Sequence, residues 1–118
     1  MAGERILFVC FDFASLIPRE RLLLARGYQI RTVLGLDGVM GAKDIQDFDF
    51  ILIADEGTQL ERQRSVFQLK EECPRVPIIV LCSGLEPLAG ADYRVSTADP
   101  NNWFEAVVDR IRHWRKLA

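Results

Sequence analysis

Phe50-Ile-Leu-Ile-Ala54 is an unbroken apolar run that ends against Asp55 and Glu56. A run this short and continuous suits a strand covered on both faces, as in a parallel sheet. A strand with one face in water would alternate instead. Two further runs have the same character, Ile6-Leu-Phe-Val-Cys-Phe11 and Pro77-Ile-Ile-Val-Leu81. Gln29 to Leu34 alternates polar and apolar residues around Ile30, Val33 and Leu34, which predicts a strand nearer the sheet edge. Tyr93 to Ser96 reads as a weaker fifth strand.

Helical stretches fill the gaps. One runs from about Ser15 to Arg26, with Pro18 in its first turn and Gly27 as its stop. A short one opens at Asp37-Gly38 and reaches about Gln46. Thr58 to Glu72 begins like a capping box, Thr58 followed three residues later by Glu61, with Leu60, Val66, Phe67 and Leu69 expected on its inner face. Asp99-Pro100-Asn101-Asn102 precedes a last helix from Trp103 to about Lys116, with a stripe of Phe104, Val107, Val108 and Ile111. Alternating strands and helices joined by right-handed crossovers predict an α/β protein, a three-layer α/β/α sandwich around a doubly wound five-stranded parallel sheet. A single domain spanning residues 1–118 is expected. Sites in such sheets lie beyond the carboxyl ends of the strands.

Hydrophobic residues make up 49 % of the chain and charged residues 27 %, enough apolar material for a core without disulfides. A net charge of −2 gives no support for binding a phosphate backbone. The cations Arg110, Arg112, His113, Arg115 and Lys116 crowd the end of the last helix, where they complement its dipole. Neither a nucleic-acid nor a membrane partner is expected. Three cysteines without short spacing, Cys10, Cys73 and Cys82, and one histidine argue against a disulfide framework and a zinc site. No apolar run approaches the roughly 18 residues of a membrane span, so a reducing, cytoplasmic location is the expectation.

Taken in order, several segments resemble response-regulator receiver domains of the CheY-like, two-component type. Arg5-Ile-Leu-Phe-Val-Cys-Phe-Asp12 resembles that family's first strand, and Leu24-Ala-Arg-Gly-Tyr-Gln-Ile30 its turn into strand two. Leu36-Asp-Gly-Val-Met-Gly-Ala42 resembles the start of helix two, and Phe48-Asp-Phe-Ile-Leu-Ile-Ala-Asp55 the strand that carries the phosphoacceptor. Pro77-Ile-Ile-Val-Leu-Cys-Ser83 and Gly90-Ala91-Asp92 match the fourth strand and the lead into the fifth. The resemblance implies a flavodoxin-like sheet. It departs from the family between strands four and five, where Ser83 to Gly90 is rich in Gly and Pro and has room for at most a shortened fourth helix.

The family's chemistry needs two acids after strand one and a phosphoacceptor aspartate after strand three to hold magnesium. A Thr or Ser after strand four and a Lys after strand five then meet the phosphoryl oxygens. In this register those positions fall on Cys10 and Phe11, Ala54, Cys82 and Asp99, none of which can do that work. The resemblance therefore implies a degenerate pseudo-receiver, a phosphorylation-independent protein–protein interaction module without cofactor or enzymatic activity. Its partner would be a kinase, an output domain or another receiver. It would meet that partner through Tyr93, Arg94, Trp103 and Trp114, as a monomer or weak dimer. Two alternatives stand beside this reading. A register slipped by one would let Asp12, Asp55 and Ser83 rebuild a phosphoacceptor site with magnesium, and a flavodoxin-like small-ligand binder or enzyme would need a pocket at the strand ends.

Overall fold

The computed structural model describes residues 3–41, 47–84, 88–99 and 102–117. Five strands, β1 (Arg5–Cys10), β2 (Gln29–Leu34), β3 (Phe50–Ile53), β4 (Ile78–Cys82) and β5 (Tyr93–Ser96), form one sheet in the order β2-β1-β3-β4-β5. All its neighbouring pairs are parallel. Among the described residues four helices accompany it: α1 (Phe13–Ala25), α2 (Gly35–Gly41), α3 (Gln59–Glu72) and α4 (Trp103–Leu117). The predicted doubly wound α/β architecture is the observed one.

Alternation along the buried strands sorts the core into two. Ile6, Phe8, Cys10, Phe50, Leu52, Ala54, Ile79 and Leu81 pack with Leu23 of α1 and with Trp103, Val107, Val108 and Ile111 of α4. Leu7, Val9, Ile51, Ile53, Ile78, Val80 and Cys82 pack on the other side with Val39 of α2 and with Val66 and Leu69 of α3. β3 and β4 are buried at every residue, which explains their continuous apolar sequence.

Helix α1 starts two residues before the predicted Ser15, because Asp12 caps it and accepts a hydrogen bond from the Ala14 amide at 3.1 Å. Pro18 consequently lies inside the helix rather than in its first turn. Gly27, with φ +100°, takes the left-handed conformation that ends the helix, as expected. Helix α2 begins at Gly35, and the predicted stretch to Gln46 lies partly outside the described residues, as do Lys43 and Pro100.

Helix α3 is capped by Thr58, whose hydroxyl oxygen accepts from the Glu61 amide at 3.1 Å, but it presents a different face from the one expected. Arg62, Ser65, Val66 and Leu69 are buried. Leu60 and Phe67, predicted to point inward, are 60 % and 54 % exposed. At 3.6 residues per turn, Leu60 and Phe67 lie across the helix from Arg62 and Leu69, so both pairs cannot face the sheet.

Among the described residues no helix stands between β4 and β5. The connection lies on α3 instead: Gln63 both donates to the Ala89 carbonyl at 2.8 Å and accepts from the Ala89 amide at 2.9 Å. Asp92 accepts from the Ile78 amide at 2.8 Å and from Lys70 at 2.7 Å. Leu88 is buried over the second core. Val95 and Tyr93 face the α1/α4 layer, which turns Arg94 and Ser96 to the opposite face, where both are exposed. The sandwich thus thins to two layers at the β5 edge.

Candidate functional site

The carboxyl ends of β1, β3, β4 and β5 converge on one rim, as the topology requires. The structure brings the substituted positions there, but mostly as packing residues. Cys10, Ala54 and Cys82 are buried. Cys10 and Ala54 belong to the first core and Cys82 to the second. Burial pushes the Cys10 thiol up to about 12, with the Glu56 charge adding to the effect, so it stays protonated and inert at neutral pH. The Phe11 ring packs beside Gly57, where φ is +87° and a Cβ would come within 2.7 Å of the Phe11 Cβ. Cys82 pairs with Ser96 across the sheet, so Asp99 lies three residues beyond the end of β5, exposed and bonded to the Asn102 side chain at 2.6 Å.

The structure gives each residue of the slipped register its own setting. Asp12 serves as the cap of α1 and Ser83 is exposed beyond β4. Asp55 is engaged instead by two residues that the sequence reading missed. Its carboxylate accepts from Arg19 Nη1 at 2.7 Å and from the Thr97 hydroxyl at 2.5 Å. Glu56 accepts from the same Arg19 nitrogen at 3.3 Å and from the Phe11 amide at 3.1 Å. The Arg19 guanidinium lies 5.4 Å from the ring centre of Trp103. One cation from α1 therefore ties together the loop after β3 and the start of α4, while Thr97 ties in the end of β5. The signal for Arg19 was its place between Leu16 and Leu23, one helical turn from each, on the inward stripe of α1.

Burial would raise the Asp55 pKa. The hydrogen bonds from Arg19 and Thr97 and the Arg19 charge outweigh that effect and hold it below the ordinary carboxylate value. A depressed folded-state pKa contributes stability that is present above the unfolded value and is lost as pH falls through the folded one. Asp55→Asn is expected to destabilise the protein by about 1–2 kcal/mol at pH 7. That difference should shrink as the pH drops below about 4. Urea denaturation of both proteins at several pH values checks it, and a gap that stays constant with pH would refute the ion pair.

The donor set does not suit a divalent cation. Magnesium seeks several hard oxygens. Cys10, Phe11 and Ala54 offer no side-chain oxygen, Asp12 is turned to its helix cap, and Asp55 and Glu56 already share the Arg19 guanidinium. Among the described residues no group of three or more His, Cys, Asp or Glu side chains is placed to hold a metal.

Of the partner-facing residues predicted from sequence, Trp103 is corrected. It is 6 % exposed and belongs to the core beneath Arg19, edge-on to Phe104. Tyr93 and Trp114 are half-buried and meet edge-on with ring centres 6.1 Å apart. Arg110 lies 5.4 Å from the Tyr93 ring centre. Beside this cluster is a groove of about 390 Å³ lined by Ala106, Asp109, Arg110 and His113 of α4.

The sheet order and parallel pairing are those of the flavodoxin-like fold, and solved receiver domains share it. A CheY-like receiver domain protein from Methanospirillum hungatei superposes with a TM-score of 0.78 at 18 % identity, over 99 % of this chain and 100 % of that one. The response regulator TrrA from Thermotoga maritima, solved with Mg²⁺–BeF, gives 0.76 at 16 % identity, over 92 % and 99 %. The receiver domain of the sensor histidine kinase PA1611 from Pseudomonas aeruginosa, solved with magnesium, gives 0.69 at 23 % identity, over 92 % and 97 %. At these identities the likeness is one of fold. No family model and no curated protein matches the chain.

Proposed function

We propose that this chain is a pseudo-receiver of two-component or phosphorelay signalling, a binding module that works through protein contact without accepting a phosphoryl group. The observation that carries this reading is the state of the strand ends. The residue that follows β3 is Ala54, buried and without a nucleophilic oxygen. The neighbouring Asp55 carboxylate is closed off by Arg19 and Thr97. Phosphoryl transfer to a carboxylate needs a free oxygen, a metal to neutralise developing charge and room for in-line attack, and an arginine already paired to that oxygen opposes all three.

The partner in this reading is a protein, either a kinase, an output domain or another receiver, in the cytoplasm. The face offered to it is the aromatic cluster of Tyr93 and Trp114 with the exposed Arg94 and the α4 groove, since partly buried aromatics beside a cation make good contact anchors. Nucleic acid and membrane stay outside the proposal. No helix among the described residues is long and apolar enough to cross a bilayer.

Thermal melting with magnesium and beryllium fluoride, a phosphoaspartate mimic, tests the reading. A ligand that binds only the folded state raises the melting temperature once it exceeds its dissociation constant. No shift is expected at any concentration. A shift that disappears in Asp55→Asn would instead establish a working phosphoacceptor at Asp55.

A further inference from the structure

Helix α3 has a second stripe that faces away from the two cores of the described residues. Leu60, Arg64, Phe67 and Glu71 follow one another at spacings of four, three and four, which places them along one line of the helix, away from the sheet. All are exposed, including the large apolar side chains of Leu60 and Phe67. Arg64 and Glu71 have no hydrogen-bond or ion-pair partner among the described residues. They flank Phe67 with opposite charge, three residues before it and four after it.

This order is self-complementary. If two such helices lie antiparallel about a twofold axis close to Phe67, each Arg64 meets the other copy's Glu71, and the two Phe67 rings meet at the centre. A twofold contact requires that one patch match itself in this way. A parallel pairing would set Arg64 against Arg64 and Glu71 against Glu71. We propose that the outer stripe of α3 is a self-association surface, on which a second copy of this chain docks antiparallel. The contact lies on a different helix from the α4 and β5 face, so its failure would leave the proposed function standing. One pair of helix faces buries well below the roughly 1,600 Å² of a standard interface, so the dimer is weak.

Sedimentation velocity of the full chain, from about 10 μM to 1 mM, reads the equilibrium. The wild type is expected to shift from monomer to dimer across this range. Phe67→Asp should abolish the shift. Arg64→Glu and Glu71→Arg should each weaken the dimer about tenfold, because each sets like charges against one another twice. The double variant Arg64→Glu with Glu71→Arg should restore it. Circular dichroism melting confirms that these exposed substitutions leave the fold intact. A chain that is monomeric at 1 mM, a dimer indifferent to Phe67→Asp, or a double variant no better than the single ones would each overturn the proposal.

Discussion

Replacing Arg62 with alanine is expected to destabilise the protein by about 3–5 kcal/mol, a large share of the roughly 5–15 kcal/mol that holds a domain folded. Arg62 is 1 % exposed, the bulkiest fully buried side chain among the described residues. Its Nε donates to the Ala54 carbonyl at 3.0 Å, and its Nη2 donates to the Leu81 carbonyl. These carbonyls belong to the ends of two neighbouring strands, and the guanidinium joins them where the ladder between β3 and β4 runs out. Alanine would remove both hydrogen bonds, leave buried acceptors unsatisfied and open a cavity. Arg62→Met keeps most of the volume and loses only the polar part, so about 2–3 kcal/mol is expected. Urea denaturation separates the two variants. An alanine variant within about 1 kcal/mol of wild type would mean that water takes over the carbonyls and that the arginine is incidental.

Trp103→Ala is the second large effect, about 3–5 kcal/mol, and it is an effect on folding rather than on partner binding. The indole lies between the first core and the Arg19 guanidinium, so its loss removes packing and also unseats the cation that holds Asp55 and Glu56. Trp114→Ala should cost about 1–2 kcal/mol, since that ring is half-buried at the margin of the first core, edge-on to Tyr93. Chemical denaturation of each variant, with binding measured per folded molecule, tells the two tryptophans apart. Near-wild-type stability for Trp103→Ala together with lost binding would return it to the contact surface.

The strands were legible because the sheet buries them on both faces. Ile6–Cys10, Phe50–Ile53 and Ile78–Cys82 have no other reason to be apolar at every position. That no helix stands between β4 and β5 among the described residues was legible from the Gly and Pro of Ser83 to Gly90. The inner face of α3 was not. Leu60 and Phe67 offered a more apolar stripe than the true one, which begins with a charged residue, Arg62. An arginine turns inward only when carbonyls wait for it, and those of Ala54 and Leu81 come from two strands that only the fold sets side by side. The same holds for the rim. Asp12, Asp55 and Glu56 were visible as acids at strand ends, but their divided loyalties were not. Whether an acid caps a helix, as Asp12 does, or pairs with Arg19, as Asp55 and Glu56 do, depends on where α1 begins and which way it rolls.

The placement of Ala54 also bears on how substitutions at the rim would combine. Its methyl group belongs to the same cluster as Phe8, Leu52 and Leu81. An aspartate introduced there alone would press a carboxylate into hydrocarbon, with the Arg19 guanidinium already committed to Asp55 and Glu56 and the Arg62 guanidinium to backbone carbonyls. Under the proposed reading, a phosphoacceptor at this position would need changes at Ala54, Cys10, Phe11 and Arg19 together. The strand ends are then epistatic, since no one of these changes alone would bring phosphoryl chemistry to the rim.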